Sequence, residues 1–475
     1  MQKRRYRQDA IIQLKIGNFA ETFPQTSGDL SVISVNSKAN GNTSAAAWNS
    51  MSSSNPAWAI YAERQRSGFL TVLFLVSRSQ FFDRNVISIL LEPIKEEFNV
   101  SDTMLGMLGG PCFAFFYAIA GIPVARWTDR GNRRTVITLA LTFWSVMTML
   151  CGLAQAFWQL AVARVGVGTG ESGGIQASQS LIIDYFLPAR RTTAIAILMG
   201  GDVAGNVLGL AIGGYVAAIF GWRSVFLLAG ALGLVLAVIV RFTLTEPRLW
   251  SDMPFVRKQA ENLGQAISLR RRKHSYVPGL VGSVLYYLFA YGPPIFIPLF
   301  LTRNLHIPLV NISKIYGPVV AVGSLIGTLA GGLLADRLSR RDVRWLAWLP
   351  AVVFALACPV YLITFTLASV PRFMALVFVG NVLLLSGLPS TFSALHAVGG
   401  SPRRATAFGI VYFSASLVGG GLGLLACGAL SDGLNALYGA DGGLHYALMT
   451  MTKPLVISGV LFYFFGCGMK RDLEE

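Results

Sequence analysis

Stretches of about twenty apolar residues recur along the chain, each bounded by charge or turn residues, and this repetition limits the possible folds most sharply. Thr135–Leu153 and Phe226–Val240 are two of them. A helix needs roughly 20 residues to cross about 30 Å of hydrocarbon. Inside lipid the backbone must satisfy its own hydrogen bonds, so only helices and closed β-barrels can span it. A barrel requires alternating strands of about ten residues, and these runs do not alternate. The composition agrees: 53% of the 475 residues are apolar and 13% charged. That is about half the charge density of a soluble chain. The sequence therefore predicts an all-α membrane protein.

The net charge of +16 raises nucleic acid as a partner, but its placement argues for a membrane. Lys and Arg gather in alternate connections: Arg126 to Arg134, Arg190–Arg191, Arg248 to Lys273, Arg337 to Arg344, and Arg403–Arg404. The intervening connections are nearly free of clustered positive charge. This positive-inside alternation predicts those loops and both termini on the cytoplasmic side of an inner (plasma) membrane. The five cysteines lie in apolar segments without C-x-x-C spacing and read as packing residues rather than zinc ligands or disulfides.

Run length and loop charge together predict twelve spans. Six lie near 69–91, 104–125, 135–155, 157–183, 192–219 and 223–244. Six more lie near 277–301, 314–335, 344–366, 372–397, 405–430 and 445–468. The predicted organisation is a disordered, Ser/Asn/Gly-rich cytoplasmic tail over 1–60, a six-helix bundle over 61–245, a basic linker over 246–275, and a second bundle with a short tail over 276–475. The halves are related. Ala125-Arg-Trp-Thr-Asp-Arg-Gly-Asn-Arg-Arg134 follows span two, and Gly332-Leu-Leu-Ala-Asp-Arg-Leu-Ser-Arg-Arg341 follows span eight, so Asp129 maps onto Asp336 at an offset of 207 residues. Pro188-Ala-Arg-Arg before span five and Pro402-Arg-Arg before span eleven map Arg191 onto Arg404 at an offset of 213. Two matches at nearly one offset indicate a duplicated six-helix unit.

The loop of G-x-x-x-D-R-x-x-R-R type, once per half, resembles that of the major facilitator superfamily. The resemblance implies two pseudo-symmetric six-helix bundles around a substrate pathway. Asp129, Arg130, Arg133 and Arg134, with Asp336, Arg337, Arg340 and Arg341, are then candidates for a cytoplasmic gate. A carboxylate at such a helix end can meet the positive N-terminus of a helix in the opposite half. The plainer reading is that these charges only set topology. A closer resemblance, to the spinster-like branch, covers Phe82 to Glu246. It is carried by Asp83-Arg84, Pro93-Ile-Lys-Glu-Glu-Phe98, Ser101-Asp102, Ala163-Arg-Val-Gly-Val-Gly-Thr-Gly-Glu171, Gly221-Trp-Arg223 and Thr245-Glu-Pro247. It implies a secondary transporter, with lysolipid-like cargo among the options.

Ionisable residues at bilayer depth are costly and are functional candidates by default. Span one holds Arg78, Asp83 and Arg84; span four holds Arg164 and Glu171; span five holds Asp202. Seven residues separate Arg164 from Glu171, two turns along one face. At about 1.5 Å per residue, Arg78 and Asp202 lie roughly 14–15 Å from the cytoplasmic surface, Asp83 and Arg164 roughly 21 Å, and Glu171 roughly 10 Å. These depths permit Asp83–Arg164 and Arg78–Asp202 pairs, with Glu171 a rival for Arg78. Asp83, Arg84, Arg164 and Glu171 match the spinster-like pattern and are the candidate proton-coupling set, a static ion network being the alternative. Arg78 and Asp202 depart from that pattern. Either they compensate each other, or one reads a charged group on the cargo.

The second half has few charges inside its spans. Tyr286, Tyr287, Tyr291, Pro293, Pro294 and Pro298 crowd span seven, where the prolines should break the helix. Tyr287, Tyr291 and His396 join Arg78 and Asp202 as candidate cavity residues, although His396 also reads as a packing histidine. Gly201, Gly205, Gly209 and Gly213, and Gly419 to Gly423, suit either a moving interface between halves or static packing. No zinc spacing, nucleophile elbow or P-loop is present, so neither an enzyme nor a cofactor is expected. The expectation is a monomeric secondary transporter working by alternating access. It is coupled to protons and moves a small amphiphile or organic anion. A uniporter, or a transport-inactive sensor or scaffold of the same fold, is the alternative.

Overall fold

A computed structural model describes residues 61–247, 275–398 and 414–474. The tail over 1–60, most of the basic linker and the Arg403–Arg404 segment lie outside the described residues, as does the His396 side chain.

The described chain is helical throughout. In the first half the helices are α1 (Glu63–Asn85), α2 (Ile87–Phe98), α3 (Asp102–Gly109), α4 (Pro111–Arg130), α5 (Arg133–Leu153), α6 (Phe157–Glu171), α7 (Gly174–Tyr185), α8 (Pro188–Phe220) and α9 (Trp222–Thr243). The second half contains α10 (Tyr276–Tyr291), α11 (Pro293–Leu305), α12 (Leu309–Ser339), α13 (Trp345–Thr366) and α14 (Val370–Val398). A π-helical segment (Ala415–Leu422) then leads into α15 (Gly423–Thr450), followed by α16 (Lys453–Glu474).

Ten helices among the described residues are long and apolar enough to cross a membrane. The two further crossings are α1–α2 and α6–α7, whose helices are broken and whose charges lower their hydropathy. These are the spans that hold Asp83 and Arg84, and Arg164 and Glu171. The surface is inverted relative to a soluble protein. Phe242 is 83% exposed and Leu333 72%, while Arg133, Arg164, Asp83 and Glu171 are buried. Lipid accepts the first group, and the bundle interior must satisfy the second.

Breaks fall where the halves or neighbouring helices come closest. Span two turns at Gly110, between α3 and α4, where any Cβ would collide with the Gly421 carbonyl oxygen of the other half. Span seven breaks at Gly292, immediately before Pro293-Pro294, so the proline kink expected from the sequence is present. The four-residue glycine stripe of α8 behaves differently from a sliding interface. Gly201, Gly205 and Gly209 face the α1 backbone at Phe74, Arg78 and Phe82, and Gly213 faces Val86, all in the same half. It is static packing. The contact of α8 with the second half uses Leu210 against Gly317 and Gly214 against Ser313.

Candidate functional site

The bundle has two ends, one carrying the Arg-rich loops after α4 and α12 (the basic end) and one opposite it. At the opposite end the halves are joined. Arg303, at the end of α11, pairs with Glu92 of α2 at 2.8 Å and with Asp102 of α3 at 3.0 Å. Lys95 reaches the same Asp102 at 2.6 Å, and the Ser431 hydroxyl donates to it at 2.6 Å. Asp432 of α15 accepts the backbone N–H groups of Asp102 at 3.0 Å and Thr103 at 2.7 Å. A carboxylate from one half thus caps a helix of the other. Nearby, Glu97 accepts from Trp222 Nε1 at 2.7 Å and pairs with Arg223; the Arg223 guanidinium, then Trp222, holds its carboxyl below the usual carboxylate range. The sequence marked Lys95, Glu97, Asp102, Trp222 and Arg223 only as parts of motifs that carry a family resemblance, and not as a tie between the halves. Its signal was Arg303, a lone arginine in a connection that positive-inside statistics keep poor in arginine.

The gate candidates divide. Asp129, Arg130, Asp336, Arg337, Arg340 and Arg341 are exposed at the basic end. Residues 399–413 of the opposite half, which include Arg403 and Arg404, lie outside the described residues. Gly332 has open space around it. Arg133 is different in kind. It is buried and pairs with Asp184 at 2.6 Å and with Glu246, and it donates to the Ser180 carbonyl at 2.9 Å. Its backbone N–H also donates to Glu246 at 2.6 Å. All these partners lie in the first half, so Arg133 ties α5 to α7 and to the end of α9. Arg134 extends Nη1 toward the Leu244 carbonyl at 3.5 Å, also within that half.

Midway between the ends lies a polar core built from the broken spans one and four. Arg84 Nε donates to Glu171 Oε2 at 2.6 Å; the Glu171 side chain is fully buried and that of Arg84 is 19% exposed. The Arg84 guanidinium also lies over the rings of Tyr117 at 4.6 Å, Phe113 at 5.0 Å and Phe81 at 5.2 Å. Gln80 donates to the Glu171 backbone carbonyl at 3.1 Å. Arg164 is beside Asp83, as the depths predicted, but it reaches the Asp83 backbone carbonyl at 3.2 Å rather than the carboxylate. The carboxylate accepts from the Thr148 hydroxyl at 3.4 Å. Glu171 Oε1 and Arg164 Nε are buried without a hydrogen bond among the described residues. A network satisfied this incompletely has room for a second arrangement.

One open choice of partner resolves here, and one expectation changes. Glu171 pairs with Arg84, because that long side chain covers the depth difference, and not with Arg78. Asp202 does lie level with Arg78, but its carboxylate accepts from the adjacent Ser77 hydroxyl, and no Arg78–Asp202 ion pair forms. Tyr291, from the second half, is within electrostatic reach of Arg84, Tyr117 and Asp202 of the first. It stacks on the buried Tyr287 at 5.6 Å and is itself 38% exposed. Tyr117, Gln80, Thr148 and Ser77 were missed because neutral polar residues carry no positional signal in a membrane sequence.

The family profile of the Major Facilitator Superfamily matches residues 73–468. An MFS-type efflux pump of Mycolicibacterium smegmatis is 32% identical, over 85% of this chain and 93% of that protein. A sphingosine-1-phosphate transporter of Danio rerio is 26% identical, over 80% of each chain. Among solved structures, a bacterial homolog of the human lysosomal transporter Spinster, in an inward-facing and unoccupied conformation, superimposes with a TM-score of 0.79 at 28% identity. The match covers 87% of this chain and 99% of that one.

Proposed function

Because the chain belongs to the Major Facilitator Superfamily, in its spinster-like branch, and is therefore a membrane transporter and not an enzyme, we propose that it works by alternating access coupled to protons. In this reading the basic end is cytoplasmic, with both termini on that side, and the latch at Arg303 holds the opposite end shut in an inward-facing state. The similarity to an inward-facing relative and the inter-half contacts gathered at one end support that assignment. The exposed Asp129 and Asp336 loops are then gate residues awaiting closure.

The observation that carries the coupling is the Arg84–Glu171 pair, closed at 2.6 Å around a fully buried carboxylate. A buried charge is tolerable only while its partner stays. Arg84 is the member that also faces the aromatic rings and the inter-half space, so rearrangement there can draw it off Glu171. Glu171 would then be a buried charge without a counter-ion, and taking up a proton removes that cost. Asp83, whose carboxylate accepts from the Thr148 hydroxyl, is the second proton carrier, with Arg164 alongside as the alternate cation. The exposed Tyr291 ring, stacked on the buried Tyr287, suits an amphiphile, presenting an apolar face together with a polar tip.

Flux in proteoliposomes against a panel of lysolipids and charged drugs, with and without an imposed pH gradient, tests this. Wild-type flux should rise with the gradient. Glu171→Gln and Asp83→Asn should reach the membrane folded and lose that response. A response unchanged in both variants would sink the coupling assignment. Flux indifferent to the gradient in the wild type would favour a uniporter, and absence of flux for every compound would favour a sensor or scaffold.

A further inference from the structure

We propose that Asp202 is a cargo-reading carboxylate and that the cargo carries a cationic group, seated at Asp202 on the side of the exposed Tyr291. The proposal rests on the transport reading above but not on its proton coupling.

The charges around the inter-half space are nearly all committed. Arg84 is paired with Glu171 and lies over three aromatic rings. Arg164 and Asp83 are sealed in the first half, bonded to each other's neighbourhood through the Asp83 carbonyl and Thr148. Each of these sets is electrically balanced. Asp202 is not. It is half-buried, accepts from the Ser77 hydroxyl, and has no ion-pair partner among the described residues. The cation that influences it, Arg84, already belongs to Glu171. A carboxylate in mid-membrane is expensive, and one hydroxyl does not offset that cost.

Its position fits a binding role. The glycines at 201 and 205 press α8 onto α1, while Leu210 and Gly214 press the far part of the same helix onto α12 of the other half. Asp202 lies on the basic-end side of that inter-half contact. Tyr291 of the second half lies within its electrostatic reach, with an open ring surface stacked in line with Tyr287. A carboxylate without an ion-pair partner among the described residues, near an exposed tyrosine ring, selects cations by charge and by the ring quadrupole together. An anionic headgroup would meet Asp202 unfavourably, and Arg84 would have to abandon Glu171 to receive it. Arg78, which has no ion pair among the described residues, offers an anion its alternative seat.

Separate calorimetric titrations of the purified full-length protein with tetraphenylphosphonium and with its near-isosteric anion, tetraphenylborate, distinguish these outcomes without any gradient. The wild type should bind the cation. Asp202→Asn should weaken it by about 10-fold or more while leaving the anion unchanged or tighter, and Asp202→Glu should stay within about 3-fold. Arg78→Ala should leave cation binding intact. Wild-type protein that binds only the anion, or Asp202→Asn that binds the cation as tightly as wild type, would overturn the proposal. If Asp202→Asn does not fold, Ser77→Ala carries the test. Freeing the carboxylate from its hydroxyl should tighten the cation about 3-fold, and an unchanged affinity would count against the idea. Loss of pH-gradient response with this pattern intact would remove the coupling scheme and leave the cation site standing.

Discussion

Arg133 and Arg303 each hold two carboxylates, yet they tie different things together. The partners of Arg133, Asp184 and Glu246, belong to its own half. The partners of Arg303, Glu92 and Asp102, belong to the other half. Breaking the first set damages a single bundle. Breaking the second loosens the two bundles from each other, which is the movement the proposed alternating access requires. The same chemistry therefore sets fold stability in one place and a conformational equilibrium in the other.

Arg133→Ala should produce the largest effect. It removes the buried guanidinium that holds Asp184 and Glu246, and losing one partner of a buried pair costs about 3–5 kcal/mol. The exposed Arg130, three residues earlier in the same motif, should cost within about 0.5 kcal/mol when replaced by Ala. Melting curves of the detergent-solubilised variants compare the two directly. Equal losses would mean that Arg133 acts at the gate with its neighbours and not as an internal tie.

Arg303→Ala should leave melting nearly unchanged and act on conformation. Asp102 keeps Lys95 and Ser431, so the loss is partial, and we expect a shift of about 1.5–3 kcal/mol toward a state open at the opposite end. Spin labels at the exposed positions Met104 and Leu437, one in each half, should report a longer distance population in the variant. A distance distribution identical to wild type, or a collapse in melting temperature, would erase the contrast with Arg133.

Much of this was legible in the sequence, for a physical reason. Charges in a membrane chain are few and costly, so each one points to a place that matters. Span positions, the duplicated loop, the break at Pro293-Pro294 and the level of Asp83 with Arg164 all follow from hydrophobic run length and residue rise. Partner choice does not follow. Arg84 rather than Arg78 takes Glu171 because side-chain reach exceeds the depth differences the residue rise can resolve. The Gly201–Gly213 stripe has the spacing of a helix contact, but spacing cannot say which helix is contacted. The opposite-end latch was not read as a tie between the halves because Glu92, Asp102, Arg303 and Asp432 lie at helix ends, where charge is cheap and does not point to a partner. The helix-cap carboxylate expected at Asp129 has a counterpart there, at Asp432.

Asp432→Ala sharpens the comparison at smaller scale. It removes acceptors for two backbone N–H groups at the start of α3 across the half boundary. Ser101 still accepts from Met104 N at 3.3 Å, so the helix keeps one cap of its own. A shift of about 1 kcal/mol is expected, in the same direction as Arg303→Ala and read by the same labels. A shift larger than that of Arg303→Ala would make the helix cap, and not the ion pair, the principal latch.

The smallest effect should come from Glu97, whose pair with Arg223 lies within the first half but at the surface, with side chains 42% and 34% exposed. Its folded-state carboxyl is held below its ordinary value, first by Arg223. A depressed carboxyl stabilises the fold above its unfolded value of about 4.3, and that contribution is lost as pH falls through the lower folded value. Solvent screening limits it to a few tenths of a kcal/mol. Melting temperatures of wild type and Glu97→Gln, followed from pH 7 downward, should therefore differ slightly near neutrality and converge below about pH 4. A gap that widens on acidification would reverse the sign and show that Glu97 is strained by its neighbours rather than held by them. A gap as large as that of Arg133→Ala would mean that location in one half, and not burial, decides what an ion pair contributes.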